Sequence, residues 1–186
     1  TCGGCLAESS PLGMARSVGR YAGSLRRAVQ QLKYRGRREL ADPLGGLLLE
    51  AFRHHWAREE VDLVLPVPLN PRRERRRGFN QSALVVRSWA RDLSRRGASG
   101  PAVAADGKIL ARPKATPPQT GLGAADRRRN LRGAFRVAQP RAVAGRHVLL
   151  VDDVYTTGAT AQACARVLAA AGARRVDLLT LARADG

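Results

Sequence analysis

Two adjacent aspartates near the end of the chain have the clearest chemical potential of any residues in it. Asp152 and Asp153 come directly after four apolar residues, Val148 to Val151. Such a strand suits the buried centre of a parallel sheet, and open α/β sheets bind their ligands at the carboxyl ends of the strands. Because two buried carboxylates are costly unless a ligand uses them, we predict that both side chains face a binding site.

The turn after the aspartates has the composition of an anion site. It combines three hydroxyl side chains with two small residues: Thr156, Thr157, Gly158, Ala159 and Thr160. If this turn opens a helix, its backbone N–H groups and hydroxyls converge on one point, which is the geometry that binds a phosphate. Carboxylates accept hydrogen bonds from vicinal sugar hydroxyls, so the two features together predict a ribose 5-phosphate. An ordinary strand–turn–helix crossover with threonine as the helix cap is the alternative.

The elements that must position these residues alternate in type. Apolar runs predict strands at about 61–65, 109–111, 134–137, 147–151 and 176–181. Helical spacing predicts helices at about 16–34, over the leucine-rich stretch 40–52, at about 80–96 and at 161–171. Strand and helix alternate after residue 60, which favours an α/β fold with a parallel sheet and right-handed crossovers. The polar, proline-rich residues 112–130 are predicted to form a mobile loop.

The charge of the chain is strongly positive. It carries 33 Lys and Arg against 15 Asp and Glu, a formal net charge of +18 at pH 7. This excess favours a polyanionic partner such as nucleic acid. Almost all of the cations are arginines, however, and a GC-rich genome would give the same bias without such a partner. The arginine cluster at residues 72–77 is more informative than the net charge of the whole chain, because it lies beside a candidate site motif.

Nothing in the sequence predicts a membrane span or an export signal. The longest apolar stretches are far shorter than the roughly 20 residues that cross a bilayer. The first residues lack a basic segment followed by an apolar block. We therefore expect a cytoplasmic protein without membrane insertion, in which the three cysteines form no disulfide.

Residues 66–82, with the sequence PVPLNPRRERRRGFNQS, form a second candidate motif. Two prolines end the preceding strand and fix a tight loop. The backbone N–H groups of such a loop, with neighbouring guanidinium groups, could hold a diphosphate, which arginine binds through two parallel hydrogen bonds. For Arg77 and Asn80 the alternatives are a charged loop residue and a helix N-cap.

These motifs carry a family resemblance. The aspartate strand and its turn resemble the loop that binds 5-phosphoribosyl 1-pyrophosphate (PRPP) in type I phosphoribosyltransferases. KYRG at 33–36, RGFNQS at 77–82 and GAF at 133–135, in this order, resemble the ComF family of competence-associated proteins. The resemblance implies a type I phosphoribosyltransferase-like parallel sheet flanked by helices, with a helical hood at 16–60 and an α/β core at 61–186.

The resemblance also implies a role for each motif. Asp152 and Asp153 would contact the ribose hydroxyls and act in catalysis, and the turn from Thr156 to Thr160 would bind the 5′-phosphate. The pyrophosphate loop would comprise Val67, Pro68, Leu69 and Arg77. A flexible loop over the substrate would contribute Arg112, Gln119 and Arg128. Mg²⁺ bound with PRPP would help to neutralise the departing pyrophosphate.

The first residues contain half of a metal-binding motif. Cys2 and Cys5 form a CxxC with two glycines between them, which is the tight turn of a zinc knuckle. ComF-like proteins begin with a four-cysteine module. The resemblance therefore implies that residues 1–15 are the remnant of a truncated module, which would bind Zn²⁺ only with the missing pair restored. The alternatives are that zinc is not bound by a single chain, or that the CxxC occurs by chance.

Two classes of function follow from these observations. The first is an enzyme that binds PRPP or ribose 5-phosphate and transfers the phosphoribosyl group with release of pyrophosphate. The second is a non-catalytic factor that handles single-stranded DNA during uptake, together with proteins of the competence machinery. Aromatic residues make up 4% of the chain, and Phe79 and Tyr155 lie next to site motifs, so a stacking groove for bases is poorly supplied. The hood is the candidate for the acceptor half of an enzyme site.

Overall fold

Parallel strands form the central sheet of this protein. The computed structural model describes residues 11–56, 60–95, 100–113, 131 and 133–184. Strands within these ranges are β1 (Ala15–Arg20), β2 (Leu63–Pro66), β3 (Ala102–Val103), β4 (Leu110–Ala111), β5 (Arg136–Val137), β6 (His147–Tyr155) and β7 (Arg175–Arg183). In this described part, five strands form a parallel sheet in the order β1-β7-β6-β2-β3, and β4 pairs with β5 in an antiparallel ribbon.

Helices cover both faces of the sheet. Those of the described ranges are α1 (Gly23–Arg35), α2 (Ala41–His55), α3 (Pro71–Arg77), α4 (Gln81–Arg95) and α5 (Ala159–Ala170), with short 3₁₀ turns at Arg38–Leu40 and Pro140–Ala142. None of these helices is long and apolar enough to cross a membrane.

Burial on both faces explains the uninterrupted apolar run of β6. Successive residues of a strand point to opposite faces. Val148 and Leu150 belong to the core cluster that contains the buried residues of α5, whereas Leu149 and Val151 belong to the cluster built from α1, α2 and α4. The predicted α/β fold, a parallel sheet flanked by helices, is thereby confirmed.

The amino-terminal segment differs from the prediction. Residues 16–20, predicted as the start of a helix, belong to strand β1, which pairs in parallel with β7. Helix α1 begins only at Gly23, where the backbone φ is 53°. The helical spacing of apolar residues was misleading because the strand depends on a partner far along the chain, which no local pattern reveals. β1 thus joins the predicted hood segment to the central sheet, while the predicted domain boundaries stay a prediction.

A short helix replaces the loop that was predicted between residues 66 and 82. Helix α3 begins after Asn70, whose Oδ1 accepts a hydrogen bond from the Arg72 amide at 3.0 Å, and Pro71 occupies its first turn. It ends at Gly78, where φ is 78°. Asparagine, proline and glycine are common at these three positions of a helix. The residues that begin and end this helix could therefore have been recognised in the sequence. The helix was missed because it has no apolar face, and prediction relied on apolar spacing.

Strand β6 is longer than predicted, and its extra length positions the aspartates. The strand continues past Val151 to Tyr155 beside β7, whereas its ladder with β2 ends where Pro66 faces Val151. Asp152 and Asp153 therefore lie on the strand itself, in the step left by the shorter neighbour. This step is at the carboxyl edge of the sheet, where α/β proteins bind ligands.

Candidate functional site

The two aspartates line the same cavity but make different contacts. Asp153 is buried; its Oδ1 lies 2.7 Å from Lys33 Nζ, and its Oδ2 accepts a hydrogen bond from Gln81 Nε2 at 2.5 Å. Asp152 is half-buried, and its Oδ1 accepts hydrogen bonds from Ser82 Oγ at 2.9 Å and from the Asp153 amide at 2.8 Å. Within the described residues, no donor contacts Asp152 Oδ2. The two carboxylates are therefore not equivalent.

The electrostatics of the pair follow from these contacts. Burial, and then the charge of Asp153, raise the pKa of Asp152 to about 7. Burial alone would lower the pKa of Lys33, but its ion pair with Asp153 outweighs burial and raises that pKa. Lys33 is thus held in its charged form, while burial and the neighbouring carboxylate favour the protonated form of Asp152.

The turn after β6 has the open helix terminus that the sequence predicted. Among the described residues no side chain caps α5, so its first amides remain available to a ligand. Gly158 precedes the helix with a φ of 73°, and a Cβ added there would come within 2.5 Å of Tyr155 Oη. The five predicted phosphate-site residues line a small cavity of about 30 Å³ that Asp152 also borders: Thr156, Thr157, Gly158, Ala159 and Thr160. The Asp152 carboxylate and the amino end of α5 therefore border the same small cavity.

The main cavity joins the aspartates to the second motif. It has a volume of about 130 Å³, and its wall includes all four predicted pyrophosphate-loop residues, Val67, Pro68, Leu69 and Arg77. Two hydrogen bonds hold this loop: the Val67 amide donates to the Val151 carbonyl at 2.8 Å, and Asn80 Nδ2 donates to the Val67 carbonyl at 3.1 Å. The tertiary structure therefore brings together the two motifs that the sequence presented separately.

Helix α3 divides the arginine cluster between two surfaces. Arg73 and Arg77, four residues apart and thus on one helix face, line the main cavity. Arg77 also donates a hydrogen bond to Gln81 Oε1. Arg72 and Arg75 are exposed and line none of the cavities described around the site. One face of the cluster is therefore part of the site and the other faces solvent.

The remaining predicted site residues have different outcomes. Arg112 lines the main cavity, and its guanidinium lies 5.1 Å from the centre of the Phe135 ring. Asn80 is a helix cap, as the alternative had it, because its Oδ1 accepts a hydrogen bond from the Ser82 amide at 3.0 Å. Four predicted residues lie outside the described ranges, so their roles and the zinc site stay predictions: Gln119, Arg128, Cys2 and Cys5. No group of three or more His, Cys, Asp and Glu side chains in the described part could hold a metal ion.

Several site residues had no assigned role in the sequence interpretation. Lys33, Gln81 and Ser82 contact the aspartates, and Tyr34 lines the same cavity. All four lie in the KYRG and RGFNQS motifs that carried the family resemblance. The signal was therefore present as a motif, but no rule of spacing predicts that these segments approach Asp152 and Asp153.

The chain is similar to known proteins over nearly its whole length. Residues 107–185 match the phosphoribosyl transferase domain family. The chain is 40% identical to DNA utilization protein YhgH of Escherichia coli K12 over 187 residues, covering 98% of this chain and 77% of that protein. It is 33% identical to Competence protein F of Haemophilus influenzae Rd over 187 residues, covering 98% and 78%. It is 28% identical to Competence protein ComFC of Bacillus subtilis 168 over 177 residues, covering 95% and 67%.

Among solved structures, phosphoribosylpyrophosphate synthetase from Mycobacterium smegmatis aligns with a TM-score of 0.44 and 18% identity. The alignment covers 84% of this chain and 50% of that chain.

Proposed function

The chain belongs to the ComF family, and we propose that its phosphoribosyl transferase domain binds PRPP at the cavity beside Asp152. The ribose hydroxyls would contact Asp152, and the 5′-phosphate would occupy the Thr156–Thr160 turn. The pyrophosphate would lie against the loop from Val67 to Leu69, within reach of Arg73 and Arg77. Each part of the ligand then faces groups of complementary charge or hydrogen-bonding capacity.

One observation carries this proposal. Asp152 has one oxygen without a donor among the described residues, and it lines a cavity that the uncapped amino end of α5 also lines. A carboxylate with a pKa raised to about 7 is costly to the fold and gains from a ligand that donates hydrogen bonds to it. A ribose 5-phosphate supplies the hydroxyls and the anion in one molecule.

The proposed reaction needs positioning and charge neutralisation rather than a side-chain nucleophile. An acceptor would attack C1′, the C1′–O bond would break, and its electron pair would leave with pyrophosphate. The carboxylate oxygens at the cavity wall suit Mg²⁺ as metal ligands, because Mg²⁺ binds through one or two carboxylates together with substrate phosphates. Asp152 would hold the ion beside the substrate, and the ion would supply positive charge to the leaving pyrophosphate. The arginines of α3 would neutralise the rest of that charge.

Calorimetry with PRPP and Mg²⁺, followed by an assay for pyrophosphate release, tests the proposal. Asp152→Asn keeps the shape of the side chain but removes the charge that strengthens its hydrogen bonds to hydroxyls, so affinity should fall by about tenfold or more. Asp62→Asn is the matched control, because Asp62 lies at the opposite end of the sheet beside His147. Equal PRPP affinity in a folded Asp152→Asn variant would refute the assignment.

A second candidate function is the handling of single-stranded DNA. The relatives named for DNA utilization and competence favour it, as does the solvent-facing side of α3 with Arg72 and Arg75. In this role the protein would act in the cytoplasm with proteins of the competence machinery. The arginines that face solvent are separate from those that line the main cavity, so the two functions use different side chains.

The division of α3 allows the two functions to be separated. Replacing Arg72 and Arg75 by Gln should reduce DNA binding and flatten its log–log salt dependence by about 0.7 for each DNA phosphate that the variant no longer binds, while PRPP binding persists. Arg73→Gln should weaken PRPP binding. PRPP with Mg²⁺ should leave DNA binding to the outer arginines nearly unchanged, and full competition in a gel-shift titration at fixed ionic strength would overturn this separation.

A further inference from the structure

The side chain of Gln81 connects the buried aspartate to the arginine of the predicted pyrophosphate loop. Gln81 is the first residue of α4 and is 5% exposed. Its Nε2 donates a hydrogen bond to Asp153 Oδ2 at 2.5 Å, and its Oε1 accepts one from Arg77 Nη1. A buried amide is costly to the fold unless its polar atoms are hydrogen-bonded. Both ends of Gln81 have a partner, and all three side chains line the main cavity.

The charges of the two partners fix the orientation of the amide. Asp153 forms an ion pair with Lys33 at 2.7 Å, and an ionised carboxylate only accepts hydrogen bonds. A guanidinium only donates them. The NH₂ group of Gln81 must therefore face Asp153, and its carbonyl oxygen must face Arg77. The reverse orientation would set two acceptors against each other at Asp153 and two donors at Arg77.

The backbone around Gln81 holds this arrangement in place. Asn80, the residue before it, is the N-cap of α4 and fixes where that helix begins. Arg77 is the last residue of α3, which Gly78 ends with a φ of 78°. The hydrogen bond from Arg77 therefore crosses the corner between α3 and α4, and the one to Asp153 joins α4 to β6. Gln81 thus links three elements of the fold at the cavity wall.

The Arg77 guanidinium depends on Gln81 for its direction. Arg77 is half-buried, and its guanidinium lies 5.6 Å from the centre of the Tyr34 ring. Within the described residues, Gln81 Oε1 is its one hydrogen-bond acceptor. A long side chain with few polar contacts loses much conformational freedom when a ligand fixes it. The contact with Gln81 reduces that loss and leaves the other N–H groups of the guanidinium for an anion.

We propose that Gln81 is a positioning residue that orients Arg77 towards the diphosphate of bound PRPP. Asp153, held by Lys33, anchors the amide, and the amide holds the guanidinium at the cavity wall. Because the guanidinium is oriented before the ligand arrives, it binds a diphosphate more tightly than a free arginine side chain would. The proposal rests on the proposed function, since the diphosphate of PRPP is the group that Arg77 would bind.

Two ligands that differ in one group test this role. PRPP and ribose 5-phosphate share the ribose and the 5′-phosphate, so the ratio of their affinities, measured by calorimetry with Mg²⁺, isolates the contribution of the diphosphate. Gln81→Met keeps the length of the side chain and removes both hydrogen bonds. PRPP affinity should fall by about tenfold, while ribose 5-phosphate affinity should change by less than about twofold. Gln30→Met, on α1 and outside the cavities described around the site, should change neither.

A double-mutant cycle shows whether Gln81 acts through Arg77. Arg77→Gln alone should lower the ratio of PRPP to ribose 5-phosphate affinity, because it removes the guanidinium. Gln81→Met should then have little further effect on that ratio in the Arg77→Gln background. Gln81→Asn has an amide one methylene shorter, which cannot reach both partners at once. It should lower the ratio in the same way and replaces Gln81→Met if that variant does not fold.

The outcomes distinguish this role from the proposed function. If a folded Gln81 variant keeps the wild-type ratio, or if Gln81→Met lowers the ratio equally with and without Arg77, the positioning role is wrong and the PRPP site stands. If Gln81→Met weakens both ligands by the same factor, Gln81 supports the aspartates rather than Arg77, and the role is overturned. If wild type binds neither PRPP nor ribose 5-phosphate, the proposed function and the positioning role fall together.

Discussion

The two ends of strands β6 and β7 each carry an aspartate away from bulk solvent, and the protein treats them in opposite ways. Asp177, at the amino end of β7, is fully buried, whereas Asp152, towards the carboxyl end of β6, is half-buried at a cavity wall. Burial tends to raise the pKa of both. Asp177 nevertheless has a lowered pKa, while the pKa of Asp152 is raised to about 7.

The difference lies in the donors that surround each carboxylate. Asp177 Oδ1 accepts from the Met14 amide at 2.8 Å and from Arg175 Nε at 3.1 Å, and its Oδ2 accepts from Trp56 Nε1 at 2.8 Å. His147 Nε2 lies 3.0 Å from the same Oδ2. These hydrogen bonds and the Arg175 charge outweigh the effect of burial on the pKa of Asp177.

At the carboxyl end, the effect of burial on the pKa of Asp152 outweighs that of its hydrogen bonds. Asp152 has donors on one oxygen and a second carboxylate as its neighbour, and Lys33, whose charge lowers its pKa, forms its ion pair with Asp153 instead. A buried acid with all its hydrogen bonds made stabilises a fold, and one that is left incomplete is typical of a functional site. Asp177 therefore has the contacts of a structural residue, whereas the incomplete contacts of Asp152 support the ligand-binding role that we propose for it.

The largest expected effect is the loss of the carboxylate at the amino end. Asp177→Ala would leave Trp56 Nε1, the Met14 amide and Arg175 without this acceptor in a buried place, so the free energy of unfolding should fall by about 3–5 kcal/mol. Urea denaturation followed by tryptophan fluorescence measures it. Asp62→Asn, at the same end but partly exposed, should change stability by less than about 0.5 kcal/mol. A loss under about 1 kcal/mol in Asp177→Ala would contradict the structural role.

The glycine at the carboxyl end should give the next largest effect. Gly158→Ala places a Cβ against Tyr155 at a φ of 73°, so the turn must distort at a cost of about 1–3 kcal/mol. PRPP affinity should fall by about tenfold or more because the amides of the turn move. Gly46→Ala is the control, since a Cβ there meets nothing within 4 Å in the interior of α2 and should stabilise the protein slightly. Unchanged PRPP affinity in Gly158→Ala would remove the turn from the site.

Asp152→Asn should stabilise the protein while weakening PRPP binding. In wild type the folded-state pKa of about 7 exceeds the ordinary 3.8, so the folded state binds more protons and stability falls as pH rises between these values. Asparagine does not titrate, so the stability of the variant does not fall with rising pH for this reason.

Unfolding measured across pH checks this expectation. The full shift corresponds to about 4 kcal/mol at pH 8, and the weaker hydrogen bonds that Asn accepts from Ser82 and the Asp153 amide offset part of it. The variant should therefore exceed wild type by about 1–2 kcal/mol at pH 8, and this advantage should be lost towards pH 4. A stability difference that is the same at both pH values would show that the effect does not come from the charge of Asp152.

The smallest effect on stability is expected at the exposed threonine of the turn. Thr157→Ala removes a hydroxyl from a solvent-facing side chain, so stability should stay within about 0.5 kcal/mol of wild type. PRPP affinity should nevertheless fall several-fold, because the variant has one donor fewer for the 5′-phosphate. Thr157→Ser, which keeps the hydroxyl, should bind PRPP like wild type. Equal affinity in all three proteins would mean that the backbone amides alone hold the phosphate.

Prediction from the sequence succeeded where a local pattern is sufficient. The strand from His147 and its aspartates, the helix after the Thr156–Thr160 turn, and the last strand all appear close to their predicted places. Each of these features, an apolar run buried on both faces and a turn of small residues before a helix, is a pattern of about ten consecutive residues. The site motifs were therefore visible before any tertiary contact was known.

Prediction failed where distant segments meet. Strand β1 was predicted as a helix because its partner β7 lies at the other end of the chain. The inequality of the two aspartates was also hidden, since it depends on Gln81, 72 residues away from Asp153, and on Ser82, 70 residues away from Asp152. The same holds for Tyr34, whose exposure beside the site follows from the place where α1 ends.

The sequence by itself determined the α/β class, the place of the two carboxylates and the small, hydroxyl-rich turn before α5, because apolar periodicity and turn chemistry act between near neighbours along the chain. Only the tertiary structure decided that both oxygens of Asp153 have partners, whereas one oxygen of Asp152 has no donor in the part of the chain that the structure describes. It also decided that Lys33, Tyr34 and the inner face of α3 surround them. The physical reason is that burial, ion pairing and pKa depend on groups that meet through packing, and their distances are set by the whole fold rather than by spacing in the sequence.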